Sequence, residues 1–182
     1  MELREKALSA DYKFNGRIIN LRVDQALLPN GKVAGREVVE HPGGVAVLPL
    51  TDEGEVLLVR QFRYPYGEIL TEIPAGKREP GEDPMTTGAR ELAEETGAVA
   101  DRVVSLGVLY PTPGYCNEVI HLYLATGLHF AETDPDEDEF LSIEKMPLEA
   151  LVDEVLAGNV PDAKTQVAVL KAWHYLNNPT EE

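Results

Sequence analysis

The sequence predicts an α+β fold with an N-terminal antiparallel sheet extension. Three observations carry that prediction. Short β-rich runs separated by turn signals fill residues 11–64. A helical segment then opens at Asp83-Pro84 and interrupts the strands. Strand-like runs resume after it and give way to two amphipathic helices. With 182 residues, 43% of them hydrophobic, the chain is long enough to bury a core without disulfides.

Each element has a local reason. DYKFNGRIINLRVDQALLP (11–29) mixes β-branched with alternating polar residues and reads as strand. Pro29-Asn30-Gly31 reads as a hairpin turn of type I′, and REVVEH (36–41) as the returning strand. GGVAVLPL (43–50) is an apolar run of the kind that forms a buried strand. Thr51-Asp52-Glu53-Gly54 is a turn into a further strand, EVLLVRQFRY (55–64). PMTTGARELAEET (84–96) is helical, with Asp83 as N-cap, Pro84 at the first position and Gly97 placed to end it left-handed. RVVSLGVLY (102–110), EVIHLYLATGL (118–128) and FLSIEKM (140–146) read as strands. PLEALVDEVLAG (147–158) is an amphipathic helix stopped by Gly158. DAKTQVAVLKAWHYL (162–176) is a last helix, with Val167, Leu170, Trp173 or His174, and Leu176 spaced for one face. There is no repeat and no low-complexity tract. The expected organisation is a β extension over residues 1–42 and a main domain over 43–182.

Composition excludes several functions. Asp and Glu number 32 against 16 Lys and Arg, a net charge of −16, which repels nucleic acid and anionic membrane surfaces. The single cysteine, Cys116, excludes an intramolecular disulfide and any multi-cysteine metal site. No segment approaches the roughly 18 apolar residues of a membrane span, and the N-terminus has no apolar signal region. The expectation is a soluble cytoplasmic protein. The charge is uneven: residues 132–154 carry ten acidic side chains and one basic.

Glu91, Glu94 and Glu95 fall at i, i+3 and i+4 of the expected helix, on one face. Taken alone, such a cluster reads as a solvated face with Arg90 paired to Glu94. It is also the set of hard oxygen ligands that Mg²⁺ or Mn²⁺ needs. The surroundings discriminate. Gly76, Glu82, Arg90, Glu91, Leu92, Glu94, Glu95 and Gly97 fit the spacing G-x(5)-E-x(7)-R-E-U-x-E-E-x-G-U, where U is a bulky aliphatic residue. At average residue usage a chance match is roughly one in 10⁸ per window. The segment resembles the Nudix box, departing from it only at Ala98, where Ile, Leu or Val is usual.

That resemblance implies the Nudix fold, a mixed β-sheet sandwiched between α-helices. It also implies hydrolysis of a nucleoside diphosphate linked to another moiety, with Mg²⁺ as cofactor and Mn²⁺ as an alternative. Carried onto this chain, Glu91 and Glu95 are the main metal ligands and Glu94 is a ligand or bridging position. Glu82 is a further ligand, direct or through water, and the Ala75 carbonyl another. Arg90 holds the glutamates by charge-assisted hydrogen bonds. Gly76 and Gly97 serve backbone geometry, and Ala98 packs under the following loop. The physical logic is independent of the family. A diphosphate is an anion entering an acidic protein, so a divalent cation must neutralise it, polarise it and lower the pKa of the attacking water.

A second motif narrows the substrate. Pro113-Gly114-Tyr115-Cys116-Asn117-Glu118 has the form P-G-x-x-x-E, and Pro113 stands 16 residues after Gly97. By itself it is a turn followed by the polar start of a strand. With EIPAGKREPGED (72–83) and LLVRQFRY (57–64) it resembles the ADP-ribose pyrophosphatase subgroup over residues 15 to 175. Members acting on GDP-mannose and other nucleotide sugars look similar and stand as the alternative substrate class. A non-catalytic nucleotide-binding Nudix module is the alternative of another class, and the intact glutamate set argues against it. A purely structural acidic domain has no need of the box spacing.

The subgroup resemblance also suggests substrate contacts. Arg63, beside Arg60, is either an exposed strand-end arginine or a bidentate grip on a phosphate. Pro113, Gly114 and Glu118 are candidates in the substrate loop. Ile19, Arg36 and Glu37 are candidates for the base, Arg36 by stacking and Glu37 by accepting from an exocyclic amine. The resemblance implies a homodimer through the N-terminal strands, with residues of the second subunit in the base site. In ETDPDEDEF (132–140) the D-x-D-x-D at 134, 136 and 138 looks like a calcium loop. It fails as one, because Glu139 replaces the required Gly and Lys145 the terminal Glu. The resemblance makes Glu137 or Glu139 the base that activates water, and the sequence does not choose between them.

Overall fold

The computed structural model describes residues 2–130 and 140–178. It divides into two units: residues up to Gly43 together with Tyr110–Val119, and Gly44–Leu109 together with Ile120 onward. The division is therefore not contiguous. The stretch carrying Pro113 and Glu118 groups with the N-terminal strands, not with the rest of the expected 43–182 domain.

The first unit is an antiparallel sheet of β1 (Lys6–Asn15), β2 (Asn20–Leu27) and β3 (Val33–Glu40), in that order. The stretch 11–29 is thus two strands, broken where the Gly16 amide donates to the Ile19 carbonyl at 2.9 Å. The turn after β2 is not type I′. Among the described residues no non-glycine has positive φ, and within this turn the residue in the left-handed region is Gly31, at 80°. Its amide closes the turn on the Leu28 carbonyl at 2.9 Å. Pro29, with φ locked near −65°, takes the first central position, which type I′ reserves for positive φ. Residues 115–117 bond along β3: the Val39 amide donates to the Tyr115 carbonyl at 2.7 Å and the Asn117 amide to the Val39 carbonyl at 3.1 Å.

The second unit is a mixed sheet and an antiparallel sheet with three helices. The mixed sheet is built from β4 (Gly44–Pro49), β7 (Ala75–Lys77), β8 (Ala98–Leu109) and β9 (Ile120–Phe130), ordered β7-β4-β9-β8 with β4 and β9 parallel. The antiparallel sheet is β10-β5-β6, from β5 (Glu55–Arg63), β6 (Glu68–Glu72) and β10 (Leu141–Pro147). β4 is buried at all six positions, as a strand covered on both faces must be. Val45 and Val47 pack with Leu57, Leu92, Ala98 and Tyr123 on the side of α1 (Pro84–Thr96). Ala46 and Leu48 pack on the other side, with Leu151 of α2 (Leu148–Leu156) and Val169 of α3 (Ala163–Asn177).

The helix signals hold for α1. Asp83 accepts from the Met85 and Thr86 amides, Pro84 opens the helix, and Gly97 closes it at φ 69°. In α3 the buried face is Thr165, Ala168, Val169 and Ala172. Leu170 and Leu176, expected on it, are exposed, while Val167 and Trp173 pack at its edge. Small residues win the centre because they let the helix lie close against the sheet, which side-chain size alone does not signal. Ala98 does not sit under a loop: it opens β8 fully buried. Among the described residues no helix is long and apolar enough to cross a membrane.

Candidate active site

The buried stripe of α1 is Thr87, Gly88, Glu91, Leu92, Glu95 and Thr96. Two carboxylates therefore occupy core-facing positions: Glu91 is 8% exposed and Glu95 2%. Burying carboxylates is costly unless each is partnered. The Ala75 amide donates to Glu95 Oε2 at 3.0 Å. Arg90 Nη1 lies 3.0 Å from Glu91 Oε1 and donates to Glu94 Oε2 at 2.8 Å. Its Nε reaches Glu82 Oε1 at 3.3 Å. One guanidinium thus serves three of the four box carboxylates. Glu82 also accepts from Thr87 Oγ1 at 2.8 Å and the Glu79 amide at 3.2 Å. Arg90, then Thr87 and the Glu79 amide, hold its carboxyl down to a pKa of about 2.

Gly76 has a different reason from the one expected. Its φ is not positive, so no special backbone geometry demands glycine. A Cβ there would lie 1.8 Å from Glu91 Cδ and 1.9 and 2.1 Å from its oxygens. The missing side chain is the space that the Glu91 carboxylate fills. Gly97 does serve backbone geometry.

The donor set of Glu82, Glu91, Glu94, Glu95 and the Ala75 backbone is all hard oxygen and carries excess negative charge, which fits a hard divalent cation. Among the described residues no three His, Cys, Asp or Glu side chains are already gathered closely enough to hold one.

Arg63, the last residue of β5, is held by Glu72. Its Nε and Nη2 donate to the two Glu72 oxygens, each at 2.7 Å. Two of the three guanidinium nitrogens are therefore on Glu72, and Nη1 is the one not donating to it. Arg60 pairs with Glu144 at 3.3 Å on the sheet surface. Glu72 is 1% exposed and also accepts from Lys164 Nζ.

In the first unit, Ile19 is exposed in the turn before β2. The two Glu5 oxygens occupy Arg36 Nε and Nη2, at 2.9 and 2.6 Å. Arg36 and Glu37 are consecutive on β3 and point to opposite faces, so one base cannot lie against both on one face. Pro113 and Gly114 lie in the 110–119 stretch. Glu118 precedes β9 rather than opening it, and its Oε1 lies 3.3 Å from His41 Nδ1. Glu137 and Glu139 lie outside the described residues.

The reading of the residues did not reach Glu72, Lys164, Asp162, Thr165 or Thr87. Thr87 had a signal, a hydroxyl on the apolar side of a box helix five residues from Glu82. Nothing in the sequence brings residue 164 beside residue 72.

Comparison with known proteins agrees with this geometry. The NUDIX domain model matches residues 40–169. The chain is 44% identical over 169 residues to an ADP-ribose pyrophosphatase of Bacillus subtilis, covering 92% of this chain and 91% of that one. It is 41% identical over 167 residues to a methanol dehydrogenase activator of Bacillus methanolicus, covering 91% and 90%. A crystal structure of an ADP compounds hydrolase superposes with a TM-score of 0.86 over 97% of each chain, at 21% identity, which bears on the fold. With Glu91, Glu94 and Glu95 on α1 and the family model spanning residues 40–169, the chain belongs to the Nudix family.

Proposed function

We propose that this chain hydrolyses the diphosphate bond of ADP-ribose to AMP and ribose 5-phosphate in the cytoplasm, with Mg²⁺, or Mn²⁺, as its divalent cation. One observation carries the reading: Glu82, Glu91 and Glu94 cluster on Arg90 while Glu95 is fixed to the Ala75 amide, in a chain so similar to the Bacillus subtilis ADP-ribose pyrophosphatase. Glu91 and Glu95 are the principal cation ligands, with Glu94, Glu82 and the Ala75 carbonyl completing the set. When bound, the cation supplies charge neutralisation and polarisation of the phosphoryl group.

The chain's own residues do the rest. Arg90 holds Glu82, Glu91 and Glu94 in register, the residues that with Glu95 would hold the cation. Arg63 donates from Nη1 to a phosphate oxygen. Glu137 or Glu139 takes the proton of the attacking water. Water adds to one phosphorus, the bridging P–O bond breaks, and the bridging oxygen leaves with the other phosphate. Ile19, Arg36 or Glu37, and the Pro113–Glu118 loop are proposed to hold the nucleoside and sugar.

Offered ADP-ribose, GDP-mannose, ADP-glucose and dinucleoside polyphosphates with Mg²⁺, the protein is expected to show its highest kcat/KM on ADP-ribose. A preference for GDP-mannose would reassign the substrate within nucleotide sugars, and no turnover of any would remove the enzymatic reading.

We also propose a homodimer through the N-terminal strands. All ten residues of β1 are exposed, including Leu8, Tyr12 and Phe14. An exposed edge strand with apolar side chains is a template for pairing with another chain. Light scattering is expected to give about twice the 20.0 kDa of one chain, and a monomer mass at micromolar concentration would contradict the dimer.

A further inference from the structure

The network behind Arg63 extends further than its pair with Glu72. Lys164 Nζ donates to Glu72 and also to Asp162 Oδ1, the latter at 3.0 Å. Asp162 caps α3 through Oδ2, which accepts from the Thr165 amide at 2.9 Å and from Thr165 Oγ1 at 2.6 Å. Thr165 Oγ1 in turn accepts the Ile73 amide at 3.0 Å. The ring closes on residues 72 and 73, directly before Pro74 and Ala75. The Pro74 carbonyl accepts from Val47 and the Ala75 amide donates to Glu95. The N-terminus of α3 is thereby bonded to the segment that lines the carboxylate site.

The charges make this more than a brace. An arginine locked one-to-one onto a buried carboxylate has most of its field cancelled at short range. Here Glu72 is shared by two cations, Arg63 and Lys164. Asp162, which also touches Lys164, is compensated by the amide dipoles of the helix it caps. Arg63 therefore keeps positive field at Nη1, while the two-point clamp on Nε and Nη2 fixes the plane of its guanidinium. Its protonated form is favoured first by the Glu72 hydrogen bonds and, at longer range, by Asp162 and Glu95. Arg63 is thus within electrostatic reach of the box.

We propose that Lys164 is a positioning residue for substrate: by sharing Glu72 it aims Arg63 and leaves it charge with which to grip the diphosphate. The inference rests on the role proposed for Arg63. Lys164→Gln keeps a donor for Glu72 and removes the charge. It is expected to raise KM for ADP-ribose about tenfold with kcat changed by less than about threefold. Lys164→Arg restores KM, and Mn²⁺ affinity measured without substrate stays at the wild-type value in both. In an Arg63→Ala background, Lys164→Gln has no further effect on KM, because the residue it acts through is gone. Equal effects of Lys164→Gln with and without Arg63, or a fall in kcat and Mn²⁺ affinity at unchanged KM, would overturn the proposal. If Lys164→Gln does not fold, Lys164→Met compared with wild type in both Arg63 backgrounds decides by the same coupling, and additivity there overturns it. Failure of the substrate assignment is distinguishable, since the wild-type protein would then not turn over ADP-ribose.

Discussion

Gly76→Ala is expected to abolish most turnover while the protein still folds. A Cβ at this position would stand 1.8 Å from Glu91 Cδ, well inside contact distance, and it would meet both carboxylate oxygens. Glu91 is 8% exposed, on the buried stripe of α1, and its Oε1 is held 3.0 Å from Arg90. It can make room only by leaving that position. A displacement of about 1 Å in a catalytic constellation costs on the order of 10²-fold in rate, and the clash here requires at least that. Steady-state kinetics with ADP-ribose, beside a thermal melt to establish folding, measures the effect. Turnover within threefold of wild type would mean that the position of Glu91 is not critical.

Glu95→Gln is the complementary case, in which shape is kept and charge removed. The glutamine carbonyl can still accept the Ala75 amide that Glu95 Oε2 now accepts at 3.0 Å, so the strand–helix contact survives. What is lost is the charge of a 2%-exposed carboxylate proposed as a cation ligand. Outer-shell partners of a metal cost 10- to 100-fold when mutated, and a direct ligand is expected to cost at least about 10²-fold in kcat. Mn²⁺ binding followed by electron paramagnetic resonance should weaken in parallel, with an unchanged melting temperature. Near-normal turnover would remove Glu95 from the ligand set.

The two variants also mark where the sequence was informative. Glu95 was legible because the spacing of the box is a chemical pattern, and helical geometry converts i, i+3 and i+4 into one face. The cap signals at Asp83, Pro84 and Gly97 were legible for the same local reason. Gly76 was legible as a required residue but not for its cause. The space that Glu91 fills arises from β7 lying against α1, a tertiary contact. The short strands β6 and β7 escaped notice because they are five and three residues long and Pro74 falls between them; pairing with β5 and β4 makes them strands. The core face of α3 was misplaced because Ala168 and Ala172 are selected by closeness of approach, and a hydrophobicity pattern favours Leu170 and Leu176. The Arg63–Glu72–Lys164 network joins residues up to 101 positions apart, and no local signal encodes it. Arg36 and Glu37 could be named but not oriented until β3 placed them on opposite faces.

The central claim is that the α1 carboxylates gather a divalent cation with which this chain cleaves ADP-ribose. Its most direct test is product analysis of purified protein with ADP-ribose in Mg²⁺, after chelation, and after Mg²⁺ is restored. AMP and ribose 5-phosphate in equal amounts, lost on chelation and recovered on restoring the ion, is the predicted result. Intact ADP-ribose in all three conditions, or cleavage indifferent to the chelator, would contradict it.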